Sequence, residues 1–387
     1  MDFFSAQMRR DPFPAYDRLR TTAPLLREPN FDAWMIFDYA GARQALTDDH
    51  RFSSSMSTAG RRNPDWLIFL DPPRQPKLRS LISRAFTPKA IAELAPRIRE
   101  LSRQLLDKVS DRGEMDVVGE FATPLPMIVI SEMIGVPAAE WARFRRWSDI
   151  ILKLSHTLSA GAAASAASAE YFAVHAEMSA YVTALVAERR AQPKDDLLSR
   201  LVQAEVDGEQ LTEQEILGFV ELLIVAGQET TSNLIANAVL CVAEYPDQLD
   251  RLKASPELLP RAIEEVLRFR SPVQWVFRAT RCDVEMHGQT IPAGKLVLPI
   301  LGSANRDALV FAEPNRFDIG REPNPHIAFG HGIHFCLGAP LARLEASIAL
   351  PDLLAHLGQF ELVDDQWEPR SALHVLGPSK LPVRFAD

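Results

Sequence analysis

One helical segment dominates this 387-residue chain. Thr212 and Glu215 have the spacing of a capping box, in which each side chain bonds to the backbone amide of the other residue. A helical pattern follows as far as Tyr245, where Pro246 ends it. Such a helix is about 50 Å long at the usual rise per residue. A helix of that length has to cross the whole molecule, so we expect the chain to fold around it.

The middle of this helix is polar and rich in small residues, where a buried helix is expected to be apolar. It reads Ala226-Gly227-Gln228-Glu229-Thr230-Thr231. Ala226 and Thr230 share one helix face, and a Thr hydroxyl that bonds to the carbonyl four residues earlier bends a helix. Local contradictions of this kind often mark function. The alternative is a kinked helix with a purely structural role.

The remaining pattern is mainly helical, with short apolar runs that predict strands. A small-residue stretch, 159–168, predicts a flexible connection, with a mobile lid as the alternative. Pro351 is expected to kink or end the helix predicted over 344–357. The predicted helices are 89–110, 138–155 and 169–191, and the predicted strands are 34–37, a hairpin over 284–291 with its turn at Gly288, 296–298 and short runs in 360–385.

This pattern predicts a mainly α fold with small peripheral β-sheets. We expect a single domain over 1–387, with β-rich parts near the N-terminus and at 273–301 and 360–386. A formal net charge of −9 argues against a nucleic-acid partner. Three scattered cysteines do not make a disulfide framework, and neither a leader nor a membrane span is evident. The sequence therefore predicts a cytoplasmic protein.

The segment Phe329–Gly338 carries the strongest chemical signal. It reads Phe-Gly-His-Gly-Ile-His-Phe-Cys-Leu-Gly, and its three glycines permit tight turns. Cys336 precedes a predicted helix, whose free amides stabilise a thiolate. Cys336 is thus a small core residue, part of a zinc site with His331 and His334, or an axial haem ligand. The glycines argue against the first alternative, and the lack of further ligands at zinc spacing argues against the second.

The full ten-residue pattern resembles the haem-binding loop of the cytochrome P450 family, in its soluble bacterial form. The loop matches the family's Phe-Gly-x-Gly-x-His-x-Cys-x-Gly at every fixed position. The mid-helix stretch matches a second family motif: a small residue, Gly, any residue, an acid and Thr. The resemblance covers essentially the whole chain. It implies the P450 fold, with the long central helix over a buried haem b, and a monomer.

The resemblance also assigns roles to residues. Cys336 would be the axial ligand of the haem iron, and Glu229 and Thr230 would deliver protons during oxygen activation. Glu265 and Arg268 match the family's Glu-x-x-Arg ion pair, with Arg316 as its expected third member. Buried haem propionates need donors or cations. The implied haem-contacting residues are Gln75, Arg79, Ala226, Gly227, Arg278, Phe329, Gly330, His334 and Gly338.

The implied activity is that of a haem-thiolate monooxygenase, which uses O2 to hydroxylate or epoxidise a hydrophobic small organic molecule. Its electrons would come indirectly from NAD(P)H through a ferredoxin or flavodoxin type donor. The alternatives are peroxide-driven haem oxygenation, which the Glu229-Thr230 pair disfavours, a haem-based gas sensor and a zinc-binding structural protein. The predicted substrate pocket contains Leu67, Ile68, Leu222, Leu223, Val273, Val276, Phe277 and Val375.

Overall fold

The computed structural model describes residues 5–29, 32–55, 57, 66–156, 162–364 and 367–385, without the side chains of 152–156 and 162–168. These residues form helices and short strands. The helices are α1 (Ala6–Arg10), α2 (Phe13–Thr22), α3 (Tyr39–Thr47), α4 (Arg74–Ala85), α5 (Pro88–Ala92), α6 (Ala95–Asp107), α7 (Pro124–Ile134), α8 (Trp141–His156), α9 (Ala162–Ala191), α10 (Leu197–Gln203), α11 (Glu213–Glu244), α12 (Pro246–Ala254), α13 (Leu259–Phe269), α14 (Leu301–Ala304) and α15 (Ala339–Leu357). The strands are β1 (Leu25–Glu28), β2 (Ala33–Ile36), β3 (Phe52–Ser53), β4 (Glu114–Asp116), β5 (Glu205–Val206), β6 (Glu209–Gln210), β7 (Arg278–Thr280), β8 (Val284–Met286), β9 (Gln289–Ile291), β10 (Leu296–Pro299), β11 (Phe360–Leu362) and β12 (Pro382–Phe385).

The chain divides into two compact units. The first contains Met1–Asn63, Ala95–Ala122 and Thr230–Asp387, and the second contains Pro64–Leu94 and Thr123–Glu229. The predicted single-domain organisation stays a prediction.

The first unit holds the larger sheets. One has the strand order β1-β2-β10-β7-β3, in which β2 and β10 are parallel and the other neighbours are antiparallel. The other has the order β11-β12-β4. The predicted hairpin is present as β8 and β9, with Val284 opposite Ile291, and its turn residues His287 and Gly288 have φ of 49° and 70°. Apolar side chains such as Ile36, Phe52 and Val297 form the core between the five-stranded sheet and α3.

The second unit is mainly helical. In its core, Phe144 and Trp147 of α8 lie against Tyr181 of α9, with ring centroids 5.7 Å and 5.6 Å from the tyrosine ring. The small hairpin of β5 and β6 precedes α11. Within the described residues, one stretch, Val117–Ile134, has the length and hydropathy of a membrane span. It is 61% buried in the structure, as expected for a core segment.

The long helix is confirmed. The backbone amide of Thr212 donates to Glu215 Oε2 (3.0 Å), and the amide of Glu215 donates to Thr212 Oγ1 (3.2 Å), which completes the capping box. The helix α11 then runs without a break over 32 residues. Pro246, which ends the pattern, begins α12.

Three sequence-based expectations differ from the structure. The predicted helix 89–110 is two helices, α5 and α6, because Pro96 fits only the first turn of a helix. Most of the predicted flexible connection is helical from Ala162, as its many alanines favour, although 157–161 lie outside the described residues. The expectation that Pro351 ends the helix is wrong, because α15 continues to Leu357, whereas the alternative of a kink stays a prediction.

Candidate functional site

The cysteine loop of the first unit is shaped by its glycines. Gly330 and Gly332 have φ of 72° and 70°, in the left-handed region that other residues rarely adopt. A Cβ at Gly332 would lie 2.9 Å from the backbone oxygen of Leu46. The backbone amide of Cys336 donates to the carbonyl of Phe329 (2.9 Å), which closes the loop. The Cys336 thiol is consequently half-buried, just before the N-terminus of α15.

A charged network of Glu264, Arg343 and His326 lies beside this loop. Glu264 of α13 accepts hydrogen bonds from Arg343 Nε (2.6 Å) and Nη2 (2.8 Å) and contacts His326 Nε2 (2.9 Å). Burial opposes ionisation of Glu264, but the hydrogen bonds from Arg343 and His326 lower its pKa to about 2. The Arg343 guanidinium lies 4.5 Å from the ring centroid of Phe329. No sequence motif links Glu264 to Arg343 and His326, because these residues are far apart in the chain.

The predicted Glu265–Arg268 ion pair is confirmed. Both side chains are fully buried, and two hydrogen bonds of 2.8 Å join them. The prediction for Arg316 is wrong, because its side chain is exposed and pairs with Glu313. Arg321 is the third side chain, since its Nε donates to both oxygens of Glu265 at 3.1 Å. Arg316 contributes only its backbone carbonyl, which accepts from Arg268 (3.2 Å) and Arg321 (3.0 Å).

In the second unit, the polar middle of α11 has two different sides. Gly227 lies against α7, and a Cβ there would be 2.4 Å from Ile130 Cδ1. Gln228 and Glu229 are buried, and Gln228 accepts a hydrogen bond from Ser148 of α8 (2.5 Å). Ala226, by contrast, is exposed. The helix thus has a small residue at an exposed position beside its buried polar residues.

In the first unit, a buried acid lies beside the same helix. Glu345 of α15 is 1% exposed and takes a hydrogen bond from Thr231. Burial raises the pKa of Glu345 from 4.5 to about 8, and the bond to Thr231 offsets only part of that rise. The folded protein therefore holds the proton of Glu345 to a higher pH than the unfolded chain does. Nothing in the sequence pattern around Glu345 distinguishes it from an exposed helical acid.

This acid predicts that stability falls as the pH rises from about 4.5 to about 8. Within that range the unfolded chain has released the Glu345 proton, whereas the folded chain retains it. Glu345→Gln should reduce this loss of the free energy of unfolding, by up to about 1.4 kcal/mol per pH unit. Urea unfolding between about pH 5 and about pH 8 measures how steeply the free energy of unfolding changes with pH in each variant. Glu361→Gln, at an exposed carboxylate, is the control, and equal slopes for wild type and Glu345→Gln would contradict the prediction.

The predicted propionate partners lie in both units. In the second, Gln75 of α4 is fully buried and Arg79 of the same helix is half-buried. In the first, Arg278 of β7 is 7% exposed and donates to the carbonyl of Phe277 (2.6 Å), and His334 is half-buried in the cysteine loop. The structure thus places these four side chains on three separate elements.

The predicted pocket residues are divided between the two units. In the first, a β-bridge joins Val273 to Val375. Phe277 packs edge-on against Trp275, with ring centroids 5.1 Å apart, and Val276 packs against the core. In the second, Leu67 and Leu222 are buried, Leu223 is half-buried and Ile68 is 41% exposed. Their role in a pocket stays a prediction.

Comparison with known proteins decides the family. The sequence model of the family described as "Cytochrome P450" matches residues 30–380. The chain is 43% identical to the putative cytochrome P450 YjiB of Bacillus subtilis, over 91% of this chain and 89% of that one. The chain belongs to the cytochrome P450 family.

Solved P450 structures agree. The crystal structure of CYP109E1 from Bacillus megaterium in complex with testosterone has a TM-score of 0.89 and 39% identity, covering 97% of this chain and 100% of that one. The structure of CYP109Q5 from Chondromyces apiculatus has a TM-score of 0.92 and 38% identity, covering 100% and 98%. The predicted mainly α P450 fold is confirmed.

Membership of the P450 family establishes the general activity. The protein is a monooxygenase that incorporates oxygen into small organic substrates, and it uses haem b with electrons from NAD(P)H delivered by redox partners. The described residues fit this cofactor. The first unit offers a half-buried thiol before a helix N-terminus and a donor at Arg278. The second unit, taken by itself, offers an exposed small residue at Ala226 and a donor at Arg79. The predicted sensor and zinc-protein alternatives lack comparable support.

Proposed function

We propose that Cys336 is the thiolate that ligates the haem iron of this monooxygenase. The observation that carries the proposal is the position of its half-buried thiol, at the end of a glycine-shaped loop and before the N-terminus of α15. Helix amides at that position favour the thiolate form. Bound haem b supplies the redox chemistry that activates dioxygen. In the first unit, Arg278 and His334 contact its propionates in this proposal.

Proton delivery falls to the acid–alcohol pair of α11. Glu229 is 4% exposed and Thr230 is half-buried, so both lie where bulk water has little access. A buried carboxylate with a hydroxyl beside it can pass a proton inward without admitting solvent. This pair supports oxygenation by O2 over the peroxide-driven alternative, which needs no such delivery.

Thr230→Ala is expected to uncouple the reaction. The variant should bind haem and consume NADPH at a rate within about threefold of wild type, but release most of the electrons as hydrogen peroxide, because the hydroxyl that moves protons is gone. The ratio of oxygenated product to NADPH consumed measures coupling. Thr230→Ser, which keeps the hydroxyl, should restore most of it. Wild-type coupling in Thr230→Ala would remove Thr230 from proton delivery.

We further propose a lipophilic, steroid-sized substrate. The predicted pocket side chains are all apolar, and the similar CYP109E1 was solved with testosterone. Testosterone is expected to shift the ferric spin state of the holoprotein with a micromolar dissociation constant, whereas a short-chain alcohol should not. A binding screen in which only small or charged compounds shift the spectrum would contradict this substrate class.

The electron donor is proposed to be an acidic ferredoxin or flavodoxin. Among the basic residues of α4, Arg74 and Lys77 already pair with Glu209, and Arg74 also pairs with Glu215. Arg84 is exposed near the end of the same helix and is the better candidate for contact with the donor. The monomeric state and the cytoplasmic location stay predictions from the sequence.

A further inference from the structure

Glu221 is a buried acid of α11 that the proposed function does not use. It is 2% exposed and lies in the part of α11 that belongs to the second unit. Its Oε2 accepts a hydrogen bond from the indole Nε1 of Trp66 (3.0 Å), and its Oε1 contacts Nδ1 of His175. We call these three side chains the Glu221 clasp. One carboxylate thus joins three separate segments of the chain.

Each of the two segments that Glu221 joins to α11 also has contacts of its own, and α9 pairs with the start of α11 through Arg190 and Glu213. Trp66 immediately precedes the short 3₁₀ turn Leu67–Phe69 and stacks on Phe69, with centroids 6.0 Å apart. His175 lies in α9, and its ring centroid is 5.6 Å from that of Tyr171. The Glu221 clasp therefore fastens both the segment 66–69 and α9 to α11.

The Glu221 clasp reaches the surface on one side. A buried carboxylate is costly unless donors satisfy it, and hydrogen bonds to a charged group are about twice as strong as neutral ones. The His175 side chain is 33% exposed, and its neighbour Phe172 is 58% exposed. Loss of the contacts of Glu221 with Trp66 and His175 would release both segments from α11.

Both ends of the clasp adjoin predicted pocket residues. Trp66 is followed by Leu67 and Ile68, and Glu221 is followed by Leu222 and Leu223. We propose that Glu221 is a positioning residue that holds the segment 66–69 and α9 against α11, and so controls how fast bulky organic ligands enter and leave. The inference rests on the proposed function, because it takes these four residues as part of the substrate pocket.

The test compares ligand release from ferric holoprotein by stopped-flow absorbance. Glu221→Ala should release the bulky azole clotrimazole about tenfold faster than wild type, because hydrogen bonds to a charged group are lost. Release of imidazole, which is small, should change less than about twofold. Glu221→Gln keeps an acceptor but not the charge, so its rate of clotrimazole release should lie between those of wild type and Glu221→Ala. Trp66→Phe and His175→Phe keep an aromatic side chain but lack the nitrogen that contacts Glu221, so each should give part of the effect.

Hydrogen exchange measured by mass spectrometry gives a second readout that needs no ligand. Peptides covering 66–70 and 171–178 should exchange faster in Glu221→Ala. Glu177→Gln is the matched control, because this acid of the same α9 pairs with Arg143 and Arg146 at the surface and should leave release and exchange unchanged. If Glu221→Ala does not fold, Trp66→Phe and His175→Phe carry the test.

The possible results separate this inference from the proposed function. Release and exchange within twofold of wild type in every variant would overturn the clasp. Equal acceleration for clotrimazole and imidazole would also overturn it, because it would indicate general loosening. A wild-type protein without the carbon monoxide spectrum of a thiolate-ligated haem would instead refute the role of Cys336, while hydrogen exchange would still test the clasp.

Discussion

Cys336→Ser is expected to remove the red-shifted Soret band that reduced, carbon monoxide-bound wild type should show. A hydroxyl does not replace a thiolate on haem iron, so monooxygenase turnover should fall by about a thousandfold or more. The absorbance of the reduced carbon monoxide complex and product formation from testosterone measure the two effects.

Cys282→Ser is the matched control, because this exposed thiol lies outside the cysteine loop. It should show the wild-type spectrum and turnover. A Cys336→Ser protein that retained the red-shifted band would show that another residue ligates the iron, and the proposed function would lose its main residue.

The second large effect is expected for Glu265→Ala. Its carboxylate is the shared acceptor for Arg268 and Arg321, and it also accepts from the amide of Asp318 (3.0 Å). Removing one partner of a buried ion pair typically costs about 3–5 kcal/mol, because the remaining charge is left buried. Holoprotein should therefore fail to accumulate, which the yield of haem-loaded protein measures.

Two arginine variants serve as the comparison. Arg321→Ala should destabilise the protein by about 2 kcal/mol or more, because it removes a charge-assisted hydrogen bond to Glu265. Arg316→Ala should change stability by less than about 0.5 kcal/mol, as is usual for an exposed side chain. If urea unfolding showed that Arg316→Ala is less stable than Arg321→Ala, the assignment of Arg321 to the Glu265 network would be contradicted.

Local patterns allowed the fold class to be predicted well. The capping box at Thr212 and the hairpin turn at Gly288 depend on interactions between residues a few positions apart, which the sequence displays directly. The prediction of a single helix over 89–110 was wrong. The apolar spacing continues across Pro96, but the helix is interrupted just before that residue. Periodicity reports which face is buried, but not whether the helix is continuous.

Long-range contacts explain what the sequence could not predict. Arg316 and Arg321 lie in the same loop, and only the folded backbone decides which guanidinium reaches Glu265. The partners of Glu221 are 155 and 46 residues away, so no motif links them. Glu345 became notable only through its burial and its contact with Thr231.

The start of α11 constrains how this enzyme can be recombined with its relatives. The carboxylate that caps the helix, Glu215, also binds Arg74, and Glu209 binds both Arg74 and Lys77. A chimera with a crossover between α4 and β6 inherits these cations and acids from different parents. Unless both parents carry the same charges, the helix that bears Gln75 and Arg79 loses its ionic anchor to the long helix. Crossovers outside 74–215 keep the donors and acceptors from a single parent.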